Sequence, residues 1–220
     1  MIELPERVGP ALHLVRHGQS TWNVRHLVQG QADEAELTDL GRTQARAGAE
    51  LLAGLPVQRL ITSDLRRARQ TAEVIGQLLV LTPVVSTLLR EQSLGEVEGQ
   101  STAAAAAAWE QVAATQLDPY GFPLPVVDIR LPGGESLRDV LARGQAFLAL
   151  PWVTDATGDV VVVSHGDTIR VLLAELLGDD FDELTWREVD NGDVHSVYRT
   201  ATGAITAVRT RPAATAPVPR

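Results

Sequence analysis

The chain has 220 residues, 45% of them apolar, which is enough for one sizeable core and rather short for two domains. Its formal net charge of −9 argues against nucleic acid or an anionic membrane as partner, because both require a basic surface. Cysteine and lysine are both absent, which excludes disulfides, thiolate nucleophiles, cysteine-based zinc sites and lysine Schiff bases. No apolar run approaches the ~20 residues that span a bilayer, and no N-terminal apolar stretch follows a basic one. With no cysteine to oxidise, the composition fits a cytoplasmic protein.

Residues 1–10 read as a lead-in, and the apolar run from Ala11 to Val15 as a buried strand. Thr38 is placed to cap a helix over 39–53, which Gly54 and Pro56 end. Arg59 to Thr62 reads as a second strand, with Ser63 capping a helix from Asp64 to about Leu79, and 83–86 as a short third strand. The alanine run 103–108 predicts a helix over 102–116, since alanine is the best helix former. Residues 118–134 carry four prolines and read as a long loop of the kind that covers sites.

A helix over 135–150 follows. The four valines within Asp159–Ser164 predict a strand buried on both faces, and a helix runs from Thr168 to Leu177. A hairpin over 194–199 and 204–208 turns at Gly203, and residues 210–220 read as a disordered tail. Strands alternating with helices predict an α/β fold, a three-layer αβα sandwich with a mostly parallel sheet. One domain over 1–209 is expected, with an insert near 92–134.

In such sheets, ligands bind beyond the carboxyl ends of the strands. Three clusters fall there: Arg16-His17-Gly18, the arginine-rich stretch 63–69, and Ser164-His165-Gly166. Each histidine ends an apolar run and precedes a glycine. Arg66, Arg67 and Arg69 lie at different angles around one helix and cannot all face one ligand.

Together these segments resemble the histidine phosphatase superfamily, the phosphoglycerate mutase-like family. The resemblance is carried by Leu-Val-Arg-His-Gly-Gln-Ser-Thr-Trp-Asn over 14–23, Gln29-Gly30, the 37–45 and 63–72 segments, Leu89-Arg90-Glu91, the 132–136 segment and Val163-Ser164-His165-Gly166, in family order over about 11–200. It implies that His17 is the histidine that becomes phosphorylated. Arg16, Arg67 and His165 would complete a phosphate pocket, and Glu91 would be the proton donor. Gly18, Ser20, Asn23, Gln29, Gly30 and Gly166 would line or contact the ligand. No cofactor and no metal is implied.

The chemistry suits these residue types. A phosphoryl group in flight spreads charge over three oxygens, which two arginines and an imidazolium can hold. His17 must attack as neutral imidazole, with its other nitrogen tied to a backbone carbonyl. Glu91 must carry a proton to the leaving oxygen and then act as base towards water.

The expected activity is a phosphomonoesterase acting on a small phosphorylated metabolite. A cofactor-dependent mutase is the alternative, and a non-catalytic phospho-ligand binder is a reading of another class. Mutases place basic residues after the glutamate loop, whereas here Thr102 occupies the expected lysine position and 103–118 holds no cation. Arg130, Arg25 and Arg42 are the cations that folding can bring into that gap. The stretch from Trp109 through Phe122 is expected to form a lid suited to an apolar or sugar-like leaving group. A homodimer is compatible with this reading.

Overall fold

The structure is a computed structural model that describes residues 6–212. Six strands form one sheet in the order β3-β2-β4-β1-β5-β6. They are β1 (Arg7–Arg16), β2 (Val57–Ser63), β3 (Val84–Ser86), β4 (Asp159–Ser164), β5 (Val194–Thr200) and β6 (Ile205–Thr210). The first four in spatial order are parallel, and β5 and β6 extend the sheet antiparallel from β1. The helices are α1 (Thr21–Val24), α2 (Asp39–Leu52), α3 (Arg66–Leu79), α4 (Thr102–Ala113), α5 (Leu137–Leu148), α6 (Pro151–Thr154) and α7 (Gly166–Leu177). The mixed α/β architecture expected from the alternation of strands and helices is therefore observed.

The valine run shows why the sheet is covered on both sides. Side chains alternate along a strand, so Val160 and Val162 pack with Phe147 of α5 and Leu172 of α7, while Val161 and Val163 pack with Ala49 of α2 and Ile75 of α3. All four valines are buried, and each contributes roughly 1.5–3 kcal/mol by leaving water.

Several boundaries differ from the sequence reading, each for a local reason. β1 begins at Arg7 rather than Ala11, because residues 7 and 8 pair with Thr200 and Arg199 across a register shift that Gly9 accommodates at φ +77°. Arg7 is also drawn in by buried Asp159, which it bonds at 2.6 and 2.9 Å. Ser63 does not cap α3. Its hydroxyl accepts from the Leu65 N–H, the helix starts at Arg66, and Asp33 from a distant loop accepts the Arg66 N–H. α5 starts at Leu137, where Ser136 and Asp139 form a reciprocal capping box.

α7 starts at Gly166, two residues early, and β6 runs through Thr210. The chain past 209 is held as far as Arg211, which bonds Asp190 at 2.6 Å, and Pro212 is buried. The rest of the tail expected over 210–220 lies outside the described residues. The proline-rich loop is pinned rather than free: Val127, Ile129 and Leu131 are buried, while Leu117, Tyr120, Phe122 and Val126 are exposed.

Candidate active site

β1 and β4 are neighbours and end in register, Arg16 opposite Ser164. This sets His17 and His165 beside each other with ring centroids 5.2 Å apart. Both rings are buried. The His17 backbone N–H donates to the Ser164 carbonyl at 3.0 Å, so the two strand ends are tied together at the site itself.

His17 is fixed in one tautomer. Its Nδ1 lies 2.8 Å from the Gly18 carbonyl, which can only accept, so the proton resides on Nδ1 and the Nε2 lone pair is free. Burial, then the positive charges of Arg67 and Arg16, push the ring well below the usual imidazole range, outweighing the Gly18 bond. His17 is a neutral base. His165 is pushed down as well, by burial first and then by Arg67, His17, Arg143 and Arg16. The imidazolium expected at 165 is thus corrected to a neutral ring, because the protein's own charges there are positive.

Arg67 is the one member of its cluster that turns inward. It is 1% exposed, whereas the Arg66 and Arg69 side chains are each 47% exposed and face Glu36 and Asp33. The Arg67 Nη1 donates to the Ala32 carbonyl at 2.9 Å and Nη2 to the Gly30 carbonyl at 2.7 Å. Burial lowers its guanidinium to about 10, against the opposing charges of Glu91 and Asp33. Arg16 donates from Nη1 to the Val189 carbonyl at 2.6 Å, and burial lowers it too. The Nε atoms of both arginines and both ring nitrogens of His165 are buried without a hydrogen bond among the described residues. These four orphaned groups surround the free face of His17. A buried polar group without a partner costs roughly 1–3 kcal/mol, and a concentration of them marks a place built for a ligand.

Glu91 stands at the N-terminus of α7. Its Oε1 accepts from the Thr168 N–H at 3.2 Å and hydroxyl at 3.3 Å, and Oε2 from the Asp167 N–H at 3.3 Å. Gly166 lies against Arg16, since a Cβ there would sit 3.7 Å from its Cζ.

The remaining residues named from the sequence serve the frame. Ser20 is buried, caps the single turn of α1 and donates to Gln29 Oε1 at 2.8 Å. Asn23 closes the capping box with Ser20. Gly30, at φ +46°, presents its carbonyl to Arg67. Gly18 is needed for packing as well as for its carbonyl: a Cβ there would lie 2.2 Å from the Gly41 carbonyl oxygen of α2.

Asn191 was not singled out from the sequence, where Asn-Gly reads only as a turn. Its Nδ2 donates to the His17 carbonyl at 3.0 Å and sits 3.4 Å from Asn23 Oδ1, joining the 179–193 segment to the end of β1. Among the described residues, no group of three or more His, Asp or Glu converges as a metal site, and no helix is long and apolar enough to cross a membrane.

Comparison with known proteins agrees with this arrangement. Residues 12–210 match the histidine phosphatase superfamily (branch 1). A 2,3-bisphosphoglycerate-dependent phosphoglycerate mutase from Gloeobacter violaceus is 34% identical over 188 residues, covering 83% of this chain and 80% of that one. A probable phosphoglycerate mutase from Proteus mirabilis is 35% identical over 167 residues, covering 76% and 74%. Among solved structures, a mycobacterial glucosyl-3-phosphoglycerate phosphatase in complex with VO3 superposes with a TM-score of 0.77 at 30% identity, covering 93% of this chain and 100% of that one. Sheet order, paired strand-end histidines and family match together make this chain an enzyme of the histidine phosphatase superfamily, branch 1.

Proposed function

We propose that the protein is a phosphomonoesterase that takes the phosphoryl group of a small phosphorylated metabolite onto His17 Nε2 and passes it to water. The observation that carries this reading is the fixed tautomer of His17, with its free lone pair inside a ring of unpartnered donors from Arg16, Arg67 and His165. In the first half-reaction, Nε2 attacks phosphorus and the ester P–O bond breaks. The two guanidinium groups and a neutral His165 N–H stabilise the equatorial oxygens. Glu91 protonates the leaving oxygen, then accepts a proton from the attacking water in the second half.

Hydrolysis is favoured over mutase chemistry by charge pairing around the site. Arg66, Arg69, Arg90, Arg143 and Arg170 each face a carboxylate: Glu36, Asp33, Asp64, Glu135 and Asp167. Arg130, the first cation after Arg90, is taken by Asp139 at 2.7 Å. A second anionic group on a ligand would have to compete for these arginines. The phosphatase among the structural neighbours supports the same direction. The curated relatives' names favour a mutase, which is the second reading. A binding protein without activity would have no use for Glu91 beside the pocket.

The exposed Leu117, Tyr120 and Phe122 suit contact with a partly apolar or sugar-like leaving group. Rates across a panel of phosphomonoesters test this, and a strict preference for small dianionic acids would refute it. Acid-quench mass spectrometry during turnover tests the mechanism. A phosphate adduct on His17, lost in His17→Ala, is the expected result; turnover without the adduct would overturn the proposal. No metal takes part in this scheme, so activity is expected to survive excess chelator.

A further inference from the structure

Two carboxyl groups, not one, stand in the first turn of α7. Glu91 reaches it from the segment after β3 and accepts the N–H groups of Asp167 and Thr168. Asp167 brings its own half-buried carboxyl to the same turn, two residues after His165, where Oδ1 accepts from Arg170 Nη1 at 2.7 Å. Arg170 is itself held in place: its Nε donates to the Arg187 carbonyl at 2.8 Å, and its guanidinium lies 4.3 Å from the Trp186 ring centroid. The groups that face Asp167 are therefore Glu91 from the chain after β3, Arg170 from α7 and Arg16 from the end of β1. Glu91 also exerts its charge on both Arg16 and Arg67, the side towards the phosphoryl pocket, whereas the Asp167 bond to Arg170 runs away from it.

Two carboxylates in one sequestered turn cannot both ionise without repulsion, so such a pair holds a proton that a lone carboxylate would release. We infer that Asp167 is a positioning residue that keeps one proton on the Glu91–Asp167 pair near neutral pH, from which Glu91 delivers it to the leaving oxygen. This rests on the phosphatase reading above. Burial first, then the negative charge of Glu91, pushes the Asp167 carboxyl up to about 6, against the pull of Arg170 and Arg16.

The proton balance closes over the cycle. As the His17–phosphorus bond forms, the ester P–O bond breaks with its electron pair going to the leaving oxygen, which takes the pair's proton through Glu91. When water attacks phosphorus, the N–P bond breaks with its electrons returning to His17, and a proton of that water recharges the pair. The arrangement matters most for alkyl phosphates, whose leaving oxygen is strongly basic. It matters least for a nitrophenyl ester, whose leaving oxygen needs little protonation.

The test uses Asp167→Asn, which keeps Oδ1 for Arg170 and removes the shared proton. The dependence of kcat on pH is measured for glycerol phosphate and for nitrophenyl phosphate, alongside the His17 adduct. The expected result is an alkaline limb displaced about one pH unit to the acid side for glycerol phosphate, with about a tenfold loss near pH 7.5. The loss on nitrophenyl phosphate is expected to be several times smaller, and the adduct still to form. An unmoved limb, or equal losses on both esters, would overturn the inference while leaving the phosphatase reading intact. Turnover by the unsubstituted enzyme without a His17 adduct would remove that reading, and this inference with it.

Discussion

Replacing Arg67 with lysine keeps the charge and removes the fork, so it separates geometry from electrostatics. In the native protein the two Nη groups are anchored from behind by the Gly30 and Ala32 carbonyls, at 2.7 and 2.9 Å, leaving Nε directed at the pocket. A lysine ammonium is one point on a flexible stem and cannot satisfy both carbonyls and the ligand together. Losing one preorganised donor to transition-state charge costs about 3–4 kcal/mol, or roughly a hundred- to thousandfold in kcat/KM. The carbonyl left without a partner costs about 1–3 kcal/mol of stability, which for a chain of this size lowers Tm by roughly 3–9 °C. Steady-state kinetics on nitrophenyl phosphate, with calorimetry on the same preparation, read both quantities. A folded Arg67→Lys enzyme with kcat/KM within about threefold of the native value would refute the reasoning, since it would show that charge alone suffices.

Other outcomes follow from single contacts. His195 is buried on β5, and burial together with Arg209, Arg170 and Arg187 holds its ring down at about 4. The unfolded chain therefore takes up a proton first: this contribution to stability is complete above about pH 6.5, declines below it and levels off near the folded value, a total of ~3 kcal/mol. Urea unfolding at about pH 7 and pH 4.5 should show this decline in the native protein and a smaller one in His195→Gln; identical declines would refute it. Gly18→Ala drives a Cβ to 2.2 Å from the Gly41 carbonyl, so about 2–3 kcal/mol of stability should be lost, along with the alignment of His17, as read by denaturant midpoint and initial rate. Ser136→Ala breaks the capping box of α5, and about 1 kcal/mol should disappear from the unfolding free energy.

Much of the site was legible because its members lie at strand ends. An apolar run followed by His-Gly, occurring twice, says that two histidines leave a sheet on the same edge, and a parallel sheet brings such edges together. Arg67 was separable from Arg66 and Arg69 only through the family resemblance, because helix periodicity alone does not say which of three arginines faces the sheet. The caps of α3 and α5 show a different limit. Ser136 and Asp139 are three residues apart and cap α5 locally, as a local signal should. For α3 the nearby Ser63 suggested a cap, but Asp33 supplies it from a loop that meets the helix only after folding. Asn191 was illegible for the same reason, since its bond to His17 spans 174 residues of chain.

The sequence by itself determined the alternation of strands and helices, the two-sided burial of the valine strand and the identity of the histidines, because these depend on residue type and local period. Tertiary structure alone decided the protonation of the site. It placed the Gly18 carbonyl against Nδ1, withdrew water from both imidazoles beside two arginines and so held both rings neutral. It also set the carboxyls of Glu91 and Asp167, 76 positions apart in the chain, in one turn of α7. Charge states depend on distance and burial, and neither exists until the chain has folded.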